Sequence, residues 1–285
     1  MACPSMRFTV LIPMVFLLCH CTPAREIAAS PKLLAVPLPV KIAPAAELSA
    51  ASEIPVVSAK SAEIANQTVS GILFEGVAFD SRSHRLVVVD QAGGLGSRFA
   101  DAASAGRSLS GHAAANAGFF TPEGAPLGLV ISKGNRAGAW NSGSSLGSGV
   151  WHADSSGKSA ISRREHLGRP AASAMRELIQ AGPMLIENGA GVSGLDATKP
   201  SIRTMILWDG GTCWWLGRSS ICTLADLGTA LAQFQPAGWK VRHALNLDGG
   251  RSADFWVSDA IQGGPLVRRN AWNRPVRNFL VLVPR

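Results

Sequence analysis

From Gly71 to the C-terminus one pattern recurs: a short apolar run that stops on Gly, Asp, Asn or, at the end of the chain, Pro. "HRLVVVD", "GLVISKG", "PMLIENG", "TMILWDGG", "HALNLDG" and "FLVLVP" are clear instances. Such runs are too short for buried helices and rich in β-branched residues, so they read as strands closed by turns. The pair "GILFEGVAFD" and "HRLVVVD" flanks the turn "SRS" and reads as two paired strands. "AGGLGSRFADAASAGRS" reads as loop with one helical turn. Two helices interrupt the pattern. "TLADLGTALAQF" starts at Thr223, an N-cap with Asp226 three residues on, and stops before Pro236 and Gly238. "SAMRELIQ", from Ser173, is a shorter candidate. The expected class is α+β: a mixed, largely antiparallel sheet or sheets with a few packed helices, in a single domain.

The N-terminal region differs in kind. "MRFTVLIPMVFLLCHC" places Arg7 ahead of an apolar core from Phe8 to Cys19, too short to span a bilayer comfortably. Residues 1–21 therefore read as a secretory signal, with Met6 as an alternative start, and the protein is expected to be exported to a periplasmic or extracellular space. Cys21 stands where a lipoprotein signal carries its acylated cysteine, although His20 precedes it where a small residue is usual. A lipid anchor at Cys21 is the only membrane contact expected. Residues 22–65 are rich in Ala and Pro, which defeat helix and ladder alike, and read as a spacer ahead of a domain over 66–285.

Export governs the cysteines. With Cys3, Cys19 and Cys21 in the leader, Cys213 and Cys222 remain, in "CWWLGRSSIC". An oxidising compartment permits a structural disulfide between them; two unpaired thiols on a hairpin is the other reading. No His or Cys spacing suits a metal, and no cofactor is expected. The net charge of +8 favours anionic partners, but the Arg residues are dispersed and mostly suit a solvated surface. Export and the lack of an aromatic-basic groove argue against nucleic acid. No Gly-x-Ser-x-Gly elbow is present, which argues against serine-hydrolase chemistry.

Chemistry concentrates elsewhere. In "AAANAGFFTPEGAPLGLVISKG", Asn116 can donate and accept at once, as a sugar hydroxyl requires, or cap a turn. In "KPSIRTMILWDGG", Arg203 enters an apolar strand at its mouth, where a fork-shaped cation suits phosphate or carboxylate; a surface Arg at a strand start is the alternative. In "HALNLDGGRSADFWV", the apolar run ends on Asp248, and Gly249 and Gly250 offer bare backbone to a ligand, with Ser252 just beyond. A plain Asp-Gly turn explains the same letters. "QAGPMLIENG" is structural, with Gly182–Pro183 turning the chain ahead of a strand.

Together, "NAGFF…GAPLGLVISKG", "QAGPMLIENG", "IRT", "ALNLDGG" and "RPVRNFLVLVP", in that order, resemble the phosphodiester glycosidase family over about Gly71 to Pro284. The resemblance implies an α+β hydrolase acting on sugar-1-phosphodiesters in glycans. It carries Asn116, Arg203 and Asp248 over as pocket positions, with Gly118, Phe120, Gly249, Gly250, Arg251 and Ser252 as substrate-binding neighbours. One departure stands out: the family's usual pattern continues "LDGG" with Gly, where this chain has Arg251. Either Arg251 strengthens phosphate binding or it fills the pocket. The expected function is hydrolysis of a glycosyl-1-phosphodiester in a glycan or envelope polymer. Asp248 would be nucleophile or base, Arg203 the phosphate grip, and Asn116 the sugar-orienting group. Glu123, Asp209 and Glu187 are candidates for a second acid, and His112 is the histidine nearest the Asn116 motif. The rival expectation is a non-catalytic envelope or exopolysaccharide-binding protein on the same fold.

Overall fold

The structure, a computed structural model, describes residues 61–285. The signal over 1–21, the Cys21 anchor and the spacer as far as residue 60 lie outside the described residues. The strands form three sheets, and every pairing between them is antiparallel. The eight-stranded sheet is built around Ile72–Asp80, Cys213–Ser219, Thr204–Trp208, His243–Asn246 and Met184–Glu187, neighbours in that order. A five-stranded sheet runs Asn135–Ala137, Val130–Ser132, Glu177–Ala181, Gly149–Ala153 and Ser159–Arg163. The other runs Leu266–Arg269, Asp254–Val257, Ala113–Asn116, Asn278–Pro284 and His84–Asp90.

One shared core explains why these strands are almost continuously apolar instead of alternating. Val77 and Phe79 from the large sheet, Val130 and Trp151 from the second, and Phe255 and Leu280 from the third all meet in it. Each sheet then buries its outer face under a helix. Helix Leu224–Leu231 covers the large sheet with Leu227 and Leu231, and Phe234 just beyond it stacks on Phe74. The helical segment Arg164–Ala172, broken at Gly168, covers the second. Helix Ala102–Arg107 covers the third, and its buried face is Ala and Gly because the Trp256 ring lies where a side chain at Gly106 would project. With both faces dry, a strand such as Asn278–Pro284 has no position for a polar residue along most of its length.

The helix from Thr223 forms as expected, the Thr223 hydroxyl accepting from the Asp226 N–H at 3.1 Å. Four expectations are corrected. The sheets contain no parallel pair, so "mixed" does not hold for the described strands. "GILFEGVAFD" and "HRLVVVD" do not pair: the chain turns at Ser81–Ser83 and passes from one sheet to another, because each strand completes a different apolar surface. Ser173 closes a helix instead of opening one, and Glu177–Ala181 is a fully buried strand; the apolar "LI" run is wanted in the sheet. The first strand, Glu63–Ile64, falls inside the stretch read as spacer, paired to Ala78 and Val77.

Cys213 and Cys222 are both free, which overturns the expected disulfide. Cys213 opens the strand Cys213–Ser219 and Cys222 lies beyond its other end. An extended strand of that length holds its ends roughly 20 Å apart, whereas a disulfide needs Cα atoms within about 7 Å. Trp214, Trp215 and Leu216 are buried in that strand, and forming a hairpin to close the bridge would expose them.

Candidate functional site

The site forms where the large sheet hands the chain to the third sheet. Leu247 still bonds to the large sheet, its N–H on the Thr204 carbonyl at 2.8 Å. One residue later Asp248 has crossed over, its N–H on the Ala117 carbonyl at 2.8 Å. An acid is thus placed at a junction between two sheets, where it is only 7% exposed.

Asn116, at the end of its strand, ties this junction together. Its Nδ2 donates to the Asp248 carbonyl, and its Oδ1 accepts from the Thr204 hydroxyl at 2.8 Å and the Asp254 N–H at 3.0 Å. It is fully buried, so it orients the backbone around Asp248 and does not face solvent. Asn278 does the same one strand over, accepting from the Gly118 N–H at 2.6 Å. Its Nδ2 is buried with no partner.

The Asp248 carboxylate is unevenly satisfied. Oδ1 accepts from the Gly249 N–H at 2.9 Å, while Oδ2 is buried and has no hydrogen-bond partner. Burial pushes its pKa up; the Ser252 hydroxyl, the Arg274 charge and the Gly249 N–H pull the other way. The cation in reach is Arg274, with Nη2 3.9 Å from Oδ2. Its Nε donates to the Ser252 hydroxyl at 3.2 Å and its guanidinium lies 4.6 Å from the Phe120 ring centre. Phe120 therefore seats a cation from below instead of meeting a sugar. Part of the Arg274 side chain stays exposed, which leaves donors for a ligand.

Arg203 is placed differently from expectation. Its backbone lies beside Gly249, but its guanidinium donates to the Lys199 carbonyl at 2.5 Å; burial lowers its pKa, and the charge of Asp196 opposes that. With Lys199, Asp196 and Leu224 it lines a cavity of about 520 Å³. The Arg203 guanidinium makes no hydrogen bond or ion pair to Asp248. The two glycines also serve structure first. Any side chain at Gly249 would run into the Ile202 carbonyl, and Gly250 has φ +59°. Their N–H groups go to Asp248 Oδ1 and, at 2.8 Å, to the Ile202 carbonyl, so neither is spare for phosphate.

Arg251 is exposed and does not fill the pocket. Its Nε donates to the Trp272 carbonyl at 3.3 Å, and its own carbonyl accepts from the Arg274 N–H at 2.9 Å. Asn273 adds a bond from Nδ2 to the Ala253 carbonyl. The loop from Asn270 to Arg274 is thus strapped to the turn that carries Ser252, and the strap aims Arg274 at Asp248. Arg274 was missed in the sequence because it sits far along the chain in "RPVRNF", where nothing local announces a partner.

None of the second-acid candidates contacts Asp248. Asp209 accepts from Gly211 and Cys213 in a turn at the far end of its strand, and Glu187 pairs with Arg163. Glu123 is exposed on the turn after Phe120. His112 bonds to His84, Nδ1 to Nε2 at 3.0 Å. Among the described residues no group of His, Cys, Asp or Glu could hold a metal ion.

The chain matches the family model for phosphodiester glycosidase over residues 110–283. The zebrafish structure described as the N-acetylglucosamine-1-phosphodiester alpha-N-acetylglucosaminidase catalytic domain auto-inhibited by pro-peptide is similar, with TM-score 0.54, 20% identity, and coverage of 82% of this chain and 85% of that one. A hypothetical protein from Synechocystis is similar with TM-score 0.54 and 19% identity, over 77% of this chain and 61% of that one. An exported protein from Burkholderia pseudomallei, itself described only as putative, gives 0.51 and 15%, over 75% and 74%. At these identities the structures share a fold. Comparison with curated proteins finds no match.

Proposed function

We propose, from the premise that the chain belongs to the phosphodiester glycosidase family, that it cleaves the sugar–phosphate bond of a glycosyl-1-phosphodiester in an exported glycan or envelope polymer. Glycosidase-type hydrolysis of a phosphodiester comes with the family. The polymer and the export are our reading, the latter from the leader sequence.

The observation that carries the assignment to Asp248 is its buried carboxylate, whose Oδ2 makes no hydrogen bond and has the Arg274 guanidinium 3.9 Å away. An unsatisfied buried acceptor is costly and is retained where a ligand completes it. Phosphate is a good leaving group, so departure of the sugar–phosphate oxygen needs little help from a general acid, and a site with one carboxylate suffices. Asp248 serves the anomeric carbon as nucleophile or as base for water. Arg274, braced by Phe120 and Ser252, takes the phosphate-gripping role first given to Arg203. Asn116 fixes the backbone that carries the acid. The alternative of a binding protein without turnover drew on Arg251 as a plug, and the Arg251–Trp272 strap removes that motive.

The mature protein is assayed for sugar release from defined glycosyl-1-phosphodiesters, beside Asp248→Asn and Arg274→Gln. We expect both substitutions to lower kcat/KM at least 100-fold, about 3 kcal/mol of transition-state stabilisation. Full activity in Asp248→Asn would refute the assignment.

A further inference from the structure

We infer that a basic groove beside the edge strand His84–Asp90 is a second, non-catalytic binding site for an anionic polysaccharide. Two cavities, about 440 Å³ and about 400 Å³, meet there and share Leu109 and Lys133. Arg98 and Arg136 line the first, Arg85 and Arg176 the second, and Lys133 both. All five are exposed, and among the described residues none makes an ion pair.

The acids of the groove are already engaged. Asp90 is gripped by Arg277 through two bonds, at 2.8 and 2.7 Å. Glu177 is buried and accepts from the Val88 N–H at 2.9 Å and the Lys133 N–H at 3.2 Å. Glu177 acts through space on Lys133 and Arg176, so the five cations outnumber the acid left to face them, and gathering them costs repulsion. Guarding a sheet edge against pairing does not account for them. The middle of that edge is satisfied: Val88 donates to Glu177, and its carbonyl accepts from the Ser132 hydroxyl at 2.6 Å. Only Arg85 lies on the strand itself. The others arrive from the hairpin Val130–Ala137, from Arg176 ahead of its strand, and from the loop holding Arg98.

The scaffold is fixed in advance. Gly134 N–H donates to the Arg176 carbonyl at 2.8 Å, and Arg136 Nη2 to the Ser173 carbonyl, so hairpin and groove wall move together. The floor between the cations is apolar, with Val87, Val88, Val89 and Leu109. Separated anions on a chain whose linking units present C–H faces fit that arrangement. Single-stranded nucleic acid would need open aromatic faces, and Phe99 is already covered by Arg98 at 5.1 Å.

The inference rests on the reading of the substrate as a polymeric glycan. Its binding readout needs no turnover and so fails separately. Dextran phosphate is titrated against the mature protein, with neutral dextran as blank. Lys133→Glu/Arg136→Glu/Arg176→Glu is compared with Arg169→Glu/Lys240→Glu/Arg242→Glu, which changes overall charge equally at exposed positions outside the groove. We expect the groove variant to lose at least 10-fold in affinity, the control less than 3-fold, and both to hydrolyse a small phosphodiester as wild type does. The milder Lys133→Gln, which spares the fold, is expected to lower the salt slope of binding by about one. Equal losses in both triple variants, or unchanged binding in the groove variant, would overturn the inference. So would an oligonucleotide of matched charge that binds the groove as tightly.

Discussion

Asn116 offers the sharpest separation between a catalytic group and a structural one. Replacing it with Ala removes three hydrogen bonds at once: from Nδ2 to the Asp248 carbonyl, and to Oδ1 from the Thr204 hydroxyl and the Asp254 N–H. All three partners belong to residues that are at most 7% exposed, so water does not replace the lost bonds. Each buried polar group left unpaired costs about 1–3 kcal/mol. The Thr204 hydroxyl can rotate toward another acceptor, so we count it low, and the total comes to about 3–6 kcal/mol. That is a large share of the roughly 5–15 kcal/mol that holds a typical domain together. Urea denaturation read by tryptophan fluorescence measures it, with an unchanged m-value required for a two-state comparison.

Thr204→Val, which removes one bond and nearly preserves shape, is expected to cost about 1 kcal/mol. Combined with Asn116→Ala it should add much less than its own cost, because the bond it deletes is already gone. If Asn116→Ala keeps wild-type stability within about 1 kcal/mol while turnover disappears, Asn116 acts on the substrate and the structural account fails.

Other expectations concern Asp248, Gly249 and His152. In the mechanism we propose ionised Asp248 does the work, so turnover should rise with pH through its raised pKa; Arg274→Gln removes a cation that favours ionisation, and the acid limb of kcat/KM should move to higher pH. An unmoved limb would limit Arg274 to binding. Gly249→Ala drives a methyl into the Ile202 carbonyl and should destabilise by more than about 2 kcal/mol in thermal unfolding, whatever it does to substrate. Burial lowers the His152 pKa to about 4. The unfolded chain then binds the extra proton first, so this contribution is complete above about pH 6.5 and is lost as pH falls toward 4, by an order of 3 kcal/mol at most. His152→Gln should flatten stability over that window, and an unchanged profile would show the ring to be solvated.

The legible parts of this fold were the ones written locally. Apolar runs ending on Gly or Asp are strands because nothing else of that length buries them, and the Thr223 cap announces its helix in four residues. Partner choice was not legible. "SRS" looks like a hairpin turn, yet Asp80 pairs with Cys213 and His84 with Pro284, each far along the chain. Cys213 and Cys222 are close in sequence, but the extended strand Cys213–Ser219 separates them in space. The same limit governed the site. Asp248 stood out because an acid ended an apolar run, whereas Arg274 becomes its partner only when the final sheet has folded.

That division follows from where the acid sits. A carboxylate on an ordinary loop would be solvated and its pKa unshifted. Here Asp248 is the first residue after the chain leaves one sheet, with its backbone held by Ala117 on one side and Asn116 on the other. Burial raises its pKa, and the opposing cation comes from a loop that Arg251 straps to the same turn. The residue that departs from the family pattern therefore acts on the electrostatics of the acid through Arg274, without entering the pocket. Arg251→Gly should free the loop from Asn270 to Arg274 and weaken phosphate binding more than it slows chemistry, raising KM with a smaller change in kcat. A fall in kcat with KM unchanged would mean that Arg251 does more than hold the strap.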